Sequence, residues 1–362
     1  MISIVYGYYV AHGGIGRFIS ETLKHVRKPE KYEILTLEDT FSAPVDARVK
    51  LLTCIRDKRF LSEQENLDFS LAVKEFTSKQ KNRFIHTHGV YPINPQMYTA
   101  HICLAAYFKR LEEMFGKHVA GNYLPILTIE EDMLRSLREE RIFPVSKKVA
   151  LELSRFYGFD YEKFTVVSGA SRFNTKIQSQ HSERKTRRVG VVGNNIHAKG
   201  LFKVCDIIRE LRKEGMAVEG IFVGCDIATQ EAIKGYAGES INLVGKYSIN
   251  KEFYESLDCY MCLSAYEGYS LSTLEAMSLG IPVVSSGLNG VFFDAKIETP
   301  RLKLAEVNDI RDTVEIKEMT KRVLEDNQFR EQVVKSGQEI TKKHTWKAVA
   351  EAYEKVYEAN CL

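Results

Sequence analysis

Two glutamates lie close together in SAYEGYSLSTLEAMSLGIPVVSS, residues 264–286. Seven residues separate Glu267 from Glu275, and the small polar run from Gly268 to Thr273 is typical of a loop that opens a helix. The backbone N–H groups at such a helix start favour an anion. The stretch therefore combines two acids with a helix start suited to an anion, and both features need explaining.

A helix cap is the simplest explanation for one of the acids. STLE, Ser272 to Glu275, matches a capping box, in which the glutamate closes the start of the helix. That pattern accounts for Glu275 alone. It does not account for Glu267, Gly268 and the proline-led strand IPVVSS together, so a functional and a capping role for Glu275 both stay open.

Two further loops between a strand and a helix have residues that suit a phosphate. HGGIGR, residues 12–17, carries glycines that let a backbone approach a ligand closely, although a tight turn explains them as well. GNNIHAKG, residues 193–200, places Lys199 at a helix start, where its charge opposes the helix dipole unless an anion offsets it. A solvated lysine is the alternative there.

Composition narrows the class of protein. The 362 residues carry a net charge of +3, too small to indicate nucleic-acid binding. Residues 1–180 hold 26 Lys and Arg against 21 Asp and Glu, whereas residues 181–362 hold 25 against 27. The basic first half fits an anionic substrate or membrane surface there, and ordinary surface variation fits it equally.

Neither the start of the chain nor its cysteines indicate export. MISIVYGYYV lacks the basic and apolar regions of a signal peptide, and no run is long enough to span a membrane. The seven cysteines are scattered, and C-x-x-C at Cys259 and Cys262 lies in a predicted strand without further ligands nearby, which favours packing. We expect a cytoplasmic protein, at the inner face of the cell membrane if its acceptor is membrane-borne.

Strands and helices alternate along the chain, which predicts two doubly wound α/β domains facing each other across a cleft. The polar segment NTKIQSQHSERKTRR separates the two halves, and the last helix, TWKAVAEAYEKVYEA, has an apolar stripe that must dock. In the first half we predict strands at ISIVYGYY, RFIHTH, QMYTAHICLA and KFTVVSG, and helices at RFISETLKHV, YFKRLEEMF and KKVALELSRFYG. In the second we predict strands at RVGVVGNN, VEGIFVG, INLVG, CYMCLS and IPVVSS, and helices at GLFKVCDIIRELRKEG, TQEAIKGYA and NKEFYESL.

Several motifs together resemble one enzyme family. EGYSLSTLEAMSLGIPVVSS resembles the E-x7-E signature of retaining glycosyltransferases of family 4, whose fold is called GT-B. HGGIGRF resembles the family's glycine loop, VGNNIHAKG its phosphate-lysine loop, VSKKVALELSRFYGFDYEKFTVVSGASRF the segment that closes its first domain, and TWKAVAEAYEKVY its terminal helix. The resemblance implies a Rossmann-like acceptor-binding domain at 1–178, a nucleotide-sugar domain at 179–342, and a helix at 343–362 that packs back on the first domain.

The resemblance also implies roles for single residues. Backbone N–H groups near Leu271, Ser272 and Thr273 would bind the nucleotide diphosphate, Glu275 the ribose hydroxyls, and Glu267 the hydroxyls of the donated sugar. Acids and helix start would then serve different parts of one ligand. The residues implied to bind the donor are Gly13, Gly14, Gly16, Asn194, Lys199, Gly245, Gly268, Tyr269, Ser270, Leu271, Ser272 and Glu275, and those implied in catalysis are His101, His88, Glu267 and Lys199.

The chain departs from the family pattern in two places. Asn194 or Asn195 stands where the family usually has an arginine, so Lys199 and the glycine loop would stabilise the leaving diphosphate with less help. SGASRF, with Ser168 and Ser171, replaces the usual ending of the first domain, which we interpret as a detail of the hinge.

Three histidines stand at predicted strand ends of the first domain. In related enzymes a histidine or aspartate at such a place faces the reacting sugar, and His101 matches it best, followed by His88. Period-two alternation puts His86 and His88 on one strand face, so a core histidine is the alternative for either. The spacing through HTHGVYPINPQMYTAHICLAAYFKRLEE resembles the lipopolysaccharide-core glucosyltransferase branch.

We therefore expect a retaining hexosyltransferase. It would move a sugar from a nucleotide-diphosphate sugar, a UDP-sugar first, to a glycan or glycolipid acceptor that is anionic or membrane-borne, in cell-surface polysaccharide or lipopolysaccharide synthesis. We expect no separate cofactor, no metal and no nucleic-acid partner. The alternatives are a sugar-nucleotide epimerase of the same fold and a catalytically silent binding subunit.

Overall fold

The computed structural model of the protein describes residues 1–9, 13–39, 48–51, 63–79, 82–117, 123–173, 184–193, 198–224, 227–245 and 249–361. The described chain forms two compact units. Unit 1 comprises Met1–Glu112, Gly116–Gly169 and Trp346–Leu362, and unit 2 comprises Glu113–Phe115 and Ala170–Thr345. Most of the predicted linker, together with Asn194 and Asn195, lies outside the described residues.

Unit 1 is built on a six-stranded parallel sheet in the order β5-β3-β1-β6-β7-β8. The chain adds strands on one side of β1 and then on the other, so the loops after β1 and β6 open at the switch point of the sheet. The strands are β1 Ile2–Val5, β2 Tyr8–Tyr9, β3 Tyr32–Thr36, β4 Glu38–Asp39, β5 Arg48–Leu51, β6 Phe84–Thr87, β7 Met97–Ala100 and β8 Ile142–Pro144, with β2 and β4 paired separately.

Amphipathic helices connect these strands and bury their apolar faces on the sheet. The helix Lys147–Tyr157 shows how the sequence determines where a helix begins and ends. Ser146 Oγ accepts from Val149 N at 3.0 Å at its start, and Gly158, with a φ of 76°, ends it. The longer helices of the unit are Gly14–Leu23, Glu63–Ser78, Leu104–Phe115, Leu124–Arg135, Lys147–Tyr157 and Trp346–Cys361, and short 3-10 turns lie at Pro29–Lys31, Glu139–Arg141 and Tyr161–Lys163.

The last helix of the chain completes the core of unit 1. Trp346 packs edge-on against Phe18, with ring centroids 5.2 Å apart, and Tyr357 does the same against Tyr32 at 5.7 Å. Tyr353 is 2% exposed and lies among the strands of the sheet. The apolar stripe read from the sequence is therefore the face that this helix buries.

Unit 2 repeats the architecture with a parallel sheet in the order β11-β10-β9-β12-β13-β14. Its switch point lies between β9 and β12. The strands are β9 Arg187–Val192, β10 Val218–Val223, β11 Ile241–Val244, β12 Cys259–Cys262, β13 Val283–Ser286 and β14 Ala305–Val307. The helices are Leu201–Lys213, Ile227–Ala237, Lys251–Glu255, Leu271–Ser278, Gly290–Glu298, Thr313–Glu325 and Asn327–Lys342, with a 3-10 turn at Gly238–Ser240.

One predicted strand is wrong. KFTVVSG, residues 163–169, carries the apolar run of a strand but belongs to no sheet. Val167 N donates to Pro144 O at 2.9 Å, just beyond the edge strand β8, without a ladder forming. An apolar run indicates burial but not a strand, and here Val167 is buried by packing beside the edge strand.

None of the helices in the described part of the chain is long and apolar enough to cross a lipid bilayer.

Candidate functional site

An ion pair lies at the switch point of unit 2. Lys199 belongs to the loop after β9 and Glu267 to the loop after β12, and the Lys199 ammonium pairs with Glu267 Oε1. Ser264 Oγ donates to the same carboxylate oxygen at 2.8 Å. The side chains of the lysine and the glutamate are 31% and 15% exposed, so the pair is reachable. Glu267 thus supplies the negative charge that offsets Lys199 at its helix start.

Glycines on both sides of the lysine make this position possible. Gly193 has φ 149°, and a Cβ on it would lie 2.7 Å from Lys199 Cγ. Gly200 has φ 65°, and a Cβ there would lie 2.5 Å from Leu263 O, a backbone atom that cannot move aside cheaply. Gly193 and Gly200 therefore allow the loop to pass close to Lys199 and to the end of β12, where a larger residue would clash.

The helix Leu271–Ser278 begins two residues earlier than a capping box requires. Ser270 is its N-cap, and the Ser270 hydroxyl accepts from Thr273 N at 3.4 Å. Glu275 is then the fifth residue of the helix, beyond reach of the cap. The capping-box interpretation of Ser272 and Glu275 is wrong, because Ser270 takes the capping position first.

Glu275 is instead a buried carboxylate with partners from distant parts of the chain. It is 2% exposed. Tyr254 Oη donates to Glu275 Oε2 at 2.8 Å, and Arg172 Nε lies 2.9 Å from Glu275 Oε1. The Arg172 guanidinium also donates to Ile249 O. A buried charge needs such partners, so Glu275 is held in one orientation beside the helix start.

Hydroxyl and amide groups join this helix to its neighbours. Tyr260 Oη donates to Ser272 Oγ at 2.8 Å. Asn289, which caps the helix Gly290–Glu298, donates through Nδ2 to Thr273 Oγ1 at 3.0 Å. The N-terminal turn of Leu271–Ser278 is thereby fixed to β12 and to the next helix, leaving a rigid set of backbone N–H groups.

Sequence patterns gave no signal for three of these supporting residues. Arg172 and Tyr254 are about 100 and 20 positions away from Glu275, and although Arg172 lies in the SGASRF segment, no pattern assigned either residue to the site. Asn289 follows the IPVVSS strand as an ordinary helix cap. Ser171 had a signal as a departure from the family pattern, and its hydroxyl lies 2.7 Å from Ser278 Oγ.

The remaining predicted donor residues of unit 2 lie at the same edge of the sheet or nearby. Gly268 is buried between Glu267 and the helix start, and the Tyr269 ring stands 5.8 Å from the His344 ring. Gly245 follows β11 and accepts from Gly224 N at 3.3 Å, two strands away from β9. Asn194 lies outside the described residues.

The glycine loop opens at the switch point of unit 1. Gly13 is the N-cap of Gly14–Leu23 and has the ordinary φ of −87°. A Cβ on Gly14 would meet no atom within 4 Å in the part of the chain that the structure describes, so the helix start has open space beside it. Gly16 is buried. The N-cap residue Gly13 has no side chain that could occupy the N–H groups of this turn, which suits an anion.

His88 and His101 form a pair at the carboxyl ends of β6 and β7. His88 Nδ1 lies 3.0 Å from His101 Nε2. His88 is 2% exposed, and its Nε2 has no hydrogen-bond partner among the described residues. Burial lowers the pKa of His88 well below its usual range and that of His101 to about 3. Both rings are therefore neutral at pH 7, and His88 orients His101 through the contact between their ring nitrogens.

His86 belongs to the core of unit 1. Its Nδ1 lies 2.5 Å from Tyr357 Oη and its Nε2 2.8 Å from Thr99 Oγ1, so both nitrogens have partners. The residue is fully buried, and burial together with His101 lowers its pKa to about 3. The alternation argument placed His86 beside His88, and their ring centroids are 4.4 Å apart.

The metal and redox possibilities find no support among the described residues. No group of three or more His, Cys, Asp or Glu side chains there could hold a metal ion. Cys259 and Cys262 are buried free thiols, and burial raises the pKa of both.

Solved structures resemble the chain over nearly its whole length. WaaG, a glycosyltransferase involved in lipopolysaccharide biosynthesis, superposes with a TM-score of 0.79 at 13% identity, covering 98% of this chain and 99% of WaaG. Sucrose-phosphate synthase from Thermosynechococcus elongatus gives 0.75 at 17% identity, covering 99% and 98%. HepE of Anabaena in complex with UDP and glucose gives 0.74 at 13% identity, covering 99% of each chain. The two parallel-sheet units therefore have the GT-B fold.

Sequence comparison adds one match. Residues 186–315 match the family described as glycosyl transferases group 1, a range that contains Lys199, Glu267 and Glu275. No curated protein matches the chain by sequence. The match and the fold together support a glycosyltransferase.

Two histidines of unit 1, the buried His86 and the partly buried His101, predict a loss of stability in acid. His86 and His101 have pKa values of about 3, against about 6.5 in an unfolded chain. Below pH 6.5 the unfolded chain binds protons that the folded chain excludes, so the free energy of unfolding falls by about 1.4 kcal/mol per pH unit for each histidine until pH 3. Urea unfolding at pH 7 and pH 5 should show His86→Gln losing about 2 kcal/mol less than wild type over this interval.

His25→Gln is the matched control for that experiment, since His25 is exposed and bonds only to Glu21 O among the described residues. It removes an exposed histidine instead of a buried one, so it controls for the loss of an imidazole as such. Equal slopes for wild type and His86→Gln would contradict a neutral buried His86.

Two buried tyrosines test the charge on Glu275. Tyr254→Phe removes a hydrogen bond to a carboxylate and should cost about 1.5–3 kcal/mol of unfolding free energy, whereas Tyr260→Phe removes a bond to a hydroxyl and should cost about 0.5–1.5 kcal/mol. Both side chains are 1% exposed or less, so the pair is matched in burial. Denaturant titration at pH 7 measures the difference, and equal costs would mean that the bond to Glu275 is no stronger than the bond to a neutral hydroxyl.

Proposed function

We propose that the protein is a retaining glycosyltransferase that moves a hexosyl group from a UDP-sugar to a glycan or glycolipid acceptor. The observation that carries the proposal is the Lys199–Glu267 ion pair at the switch point of unit 2, next to the start of the helix Leu271–Ser278. A cation, a helix N-terminus and a hydroxyl-accepting carboxylate there suit the diphosphate and the sugar of one donor.

Each group would act on a different part of the donor. The N–H groups of Leu271 and Ser272 would bind the diphosphate, joined by that of Thr273 if it exchanges its 3.4 Å bond to Ser270 Oγ for a phosphate oxygen, while Lys199 would turn from Glu267 towards the charge that develops as the diphosphate leaves. Glu267 would then accept hydrogen bonds from sugar hydroxyls, and Glu275, fixed by Arg172, would accept from the ribose. The leaving diphosphate would take the acceptor's proton. The acceptor hydroxyl would attack the anomeric carbon of the sugar from the same face that the diphosphate leaves.

In unit 1, a neutral His101 would face the reacting sugar, and the turn at Gly13, Gly14 and Gly16 would lie near the donor phosphates. His88 would set the tautomer of His101 through the bond between their rings. Support for the donor comes from HepE, whose structures hold UDP and UDP-glucose. A role in lipopolysaccharide or other cell-surface glycan synthesis is supported by the similarity to WaaG.

Product analysis tests this function against its alternatives. Incubation with α-linked UDP-hexoses should release UDP slowly without acceptor and faster with an acceptor glycan, and proton NMR of the product should show the α configuration. A β product would refute retention. Conversion of the UDP-sugar into an epimer would identify an epimerase, and donor binding without any turnover a binding subunit.

Replacement of Lys199 should damage turnover more than binding. Charge on the leaving diphosphate grows in the transition state, so Lys199→Ala should lower kcat by roughly 100- to 1000-fold while the Kd for UDP changes far less. Steady-state kinetics and calorimetric UDP titration measure the two effects.

Lys203→Ala is the matched control, because Lys203 lies in the first turn of the helix Leu201–Lys213 that follows Lys199, with its ammonium on Thr313 Oγ1 at 2.8 Å. It should keep wild-type kinetics. Equal losses in kcat and UDP affinity for Lys199→Ala would contradict selective stabilisation of the leaving group.

An anionic acceptor should bind unit 1 near the helix Leu104–Phe115. Lys109 is exposed there and Lys117 is 87% exposed, although Glu112 faces Lys117 at 3.6 Å, and His118 lies outside the described residues. Attraction to these charges should fade as the Debye length falls from about 10 Å at 0.1 M salt to about 3 Å at 1 M, which raises the acceptor KM.

Donor hydrolysis in the same buffers needs no acceptor and should change much less. The double variant Lys109→Glu, Arg110→Glu should raise the acceptor KM at low salt, whereas Lys335→Glu, an exposed reversal on unit 2, should not. A KM independent of salt, or a double variant equal to wild type, would refute the anionic acceptor and leave the transferase untouched.

A further inference from the structure

A groove opens in unit 1 at the end of the sheet where the strands begin. It has a volume of about 1060 Å³. Met1, Arg83, Gln96 and Arg141 line it, and each of them immediately precedes a strand. Because the strands are parallel, this edge is opposite to the one that holds the glycine loop and His101. The groove is therefore separate from the proposed transfer site.

Three arginines line this groove, which we call the arginine groove: Arg83, Arg138 and Arg141. The charge of Arg83 is already matched, since its guanidinium pairs with the buried Glu33 and lies 3.0 Å from Ser3 Oγ. Arg83 therefore forms a fixed wall, and the capacity of the groove for an anion depends on Arg138 and Arg141.

Arg141 and Arg138 have donors to spare. Arg141 gives one nitrogen to Asn360 Oδ1, but its Nη1 is buried without a hydrogen-bond partner among the described residues. Arg138 is exposed, and although its backbone O accepts from Arg141 N at 2.9 Å, its guanidinium has no ion pair or hydrogen bond in that part of the chain. Glu140 stands on the same rim and offsets one of these charges. The Arg141 guanidinium lies over the Phe84 ring, with Cζ 5.8 Å from the ring centroid, and an oxyanion in the groove that both arginines line would give its unpaired N–H a partner.

The rest of the lining suits a polar organic ligand. Asn82, Gln96 and Asn360 offer amide groups, while Phe84, Pro95 and Leu137 offer apolar surface. Cavities that bind small molecules have about 300–1000 Å³ and combine these two kinds of surface. The groove is large enough for a ligand well beyond a single phosphate.

We propose that the arginine groove binds a phosphomonoester, with Arg138 and Arg141 on the phosphate oxygens. The same chemistry is present on a free sugar phosphate and on a lipid headgroup such as phosphatidic acid. The inference does not depend on the transferase function, because none of its residues belongs to the proposed donor site.

Binding is measured by calorimetry on the full chain with saturating UDP, so that the proposed donor site is filled. The probes are glucose 6-phosphate, inorganic phosphate, glucose, and phosphatidylcholine vesicles with and without phosphatidic acid. A phosphate-bearing probe should bind saturably, and glucose and plain vesicles should not. Binding of the free sugar phosphate identifies a soluble ligand, and binding of the phosphatidic acid vesicles alone identifies a lipid.

Variants assign the binding to the groove. Arg138→Gln with Arg141→Gln should weaken it at least about tenfold, since a charge-assisted hydrogen bond is lost at each arginine. Arg138→Gln alone, at an exposed position without partners, should weaken it severalfold and cannot be explained by misfolding. Arg135→Gln, on the preceding helix and outside the groove, should have no effect.

Three results would overturn the proposal. No saturable binding of any phosphate-bearing probe is the first. Binding that survives both Arg138→Gln and the double variant is the second. Binding that Lys199→Ala abolishes is the third, because it would assign the phosphate to unit 2 instead.

Discussion

Two carboxylates beside one helix N-terminus set the constraint on which unit 2 depends. Glu267 and Glu275 are both sheltered from water, and a sheltered charge needs a partner to be tolerated. Lys199 comes from the loop after β9 and Arg172 from the segment that leads into the unit. Since each partner belongs to another element, satisfying the two charges also fixes how the loops at the switch point are arranged.

The same arrangement explains how much of the site the sequence could reveal. Glu267, Lys199 and the start of Leu271–Ser278 lie in contiguous motifs whose spacing reflects a local turn, so residue patterns point to them directly. Arg172 reaches Glu275 only through the fold. Such long-range partners leave no periodicity and no spacing by which a single sequence could indicate them.

The fold could also be predicted from local patterns, and the prediction failed where two local rules compete. Alternating apolar runs and helical stripes predicted the two parallel sheets, because the period of the pattern follows from burial on each element. The cap was misplaced because Ser270 and Ser272 are both good N-cap residues two positions apart, and propensity cannot choose between them. At 163–169 the apolar run predicted the burial of Val167 but not its hydrogen bonding, because Val167 N bonds to Pro144 O of the edge strand without a ladder forming.

The return of the last helix to unit 1 has a consequence for how the chain is made. Apart from Glu113–Phe115, unit 2 is one continuous segment from Ala170 to Thr345, whereas the core of unit 1 includes Tyr353 and Tyr357 from the helix that follows unit 2. Domains generally fold during synthesis in the order in which they leave the ribosome. Here most of the second unit can fold before Trp346–Cys361 has been synthesised, whereas His86 of the first unit stays uncovered until that helix is available.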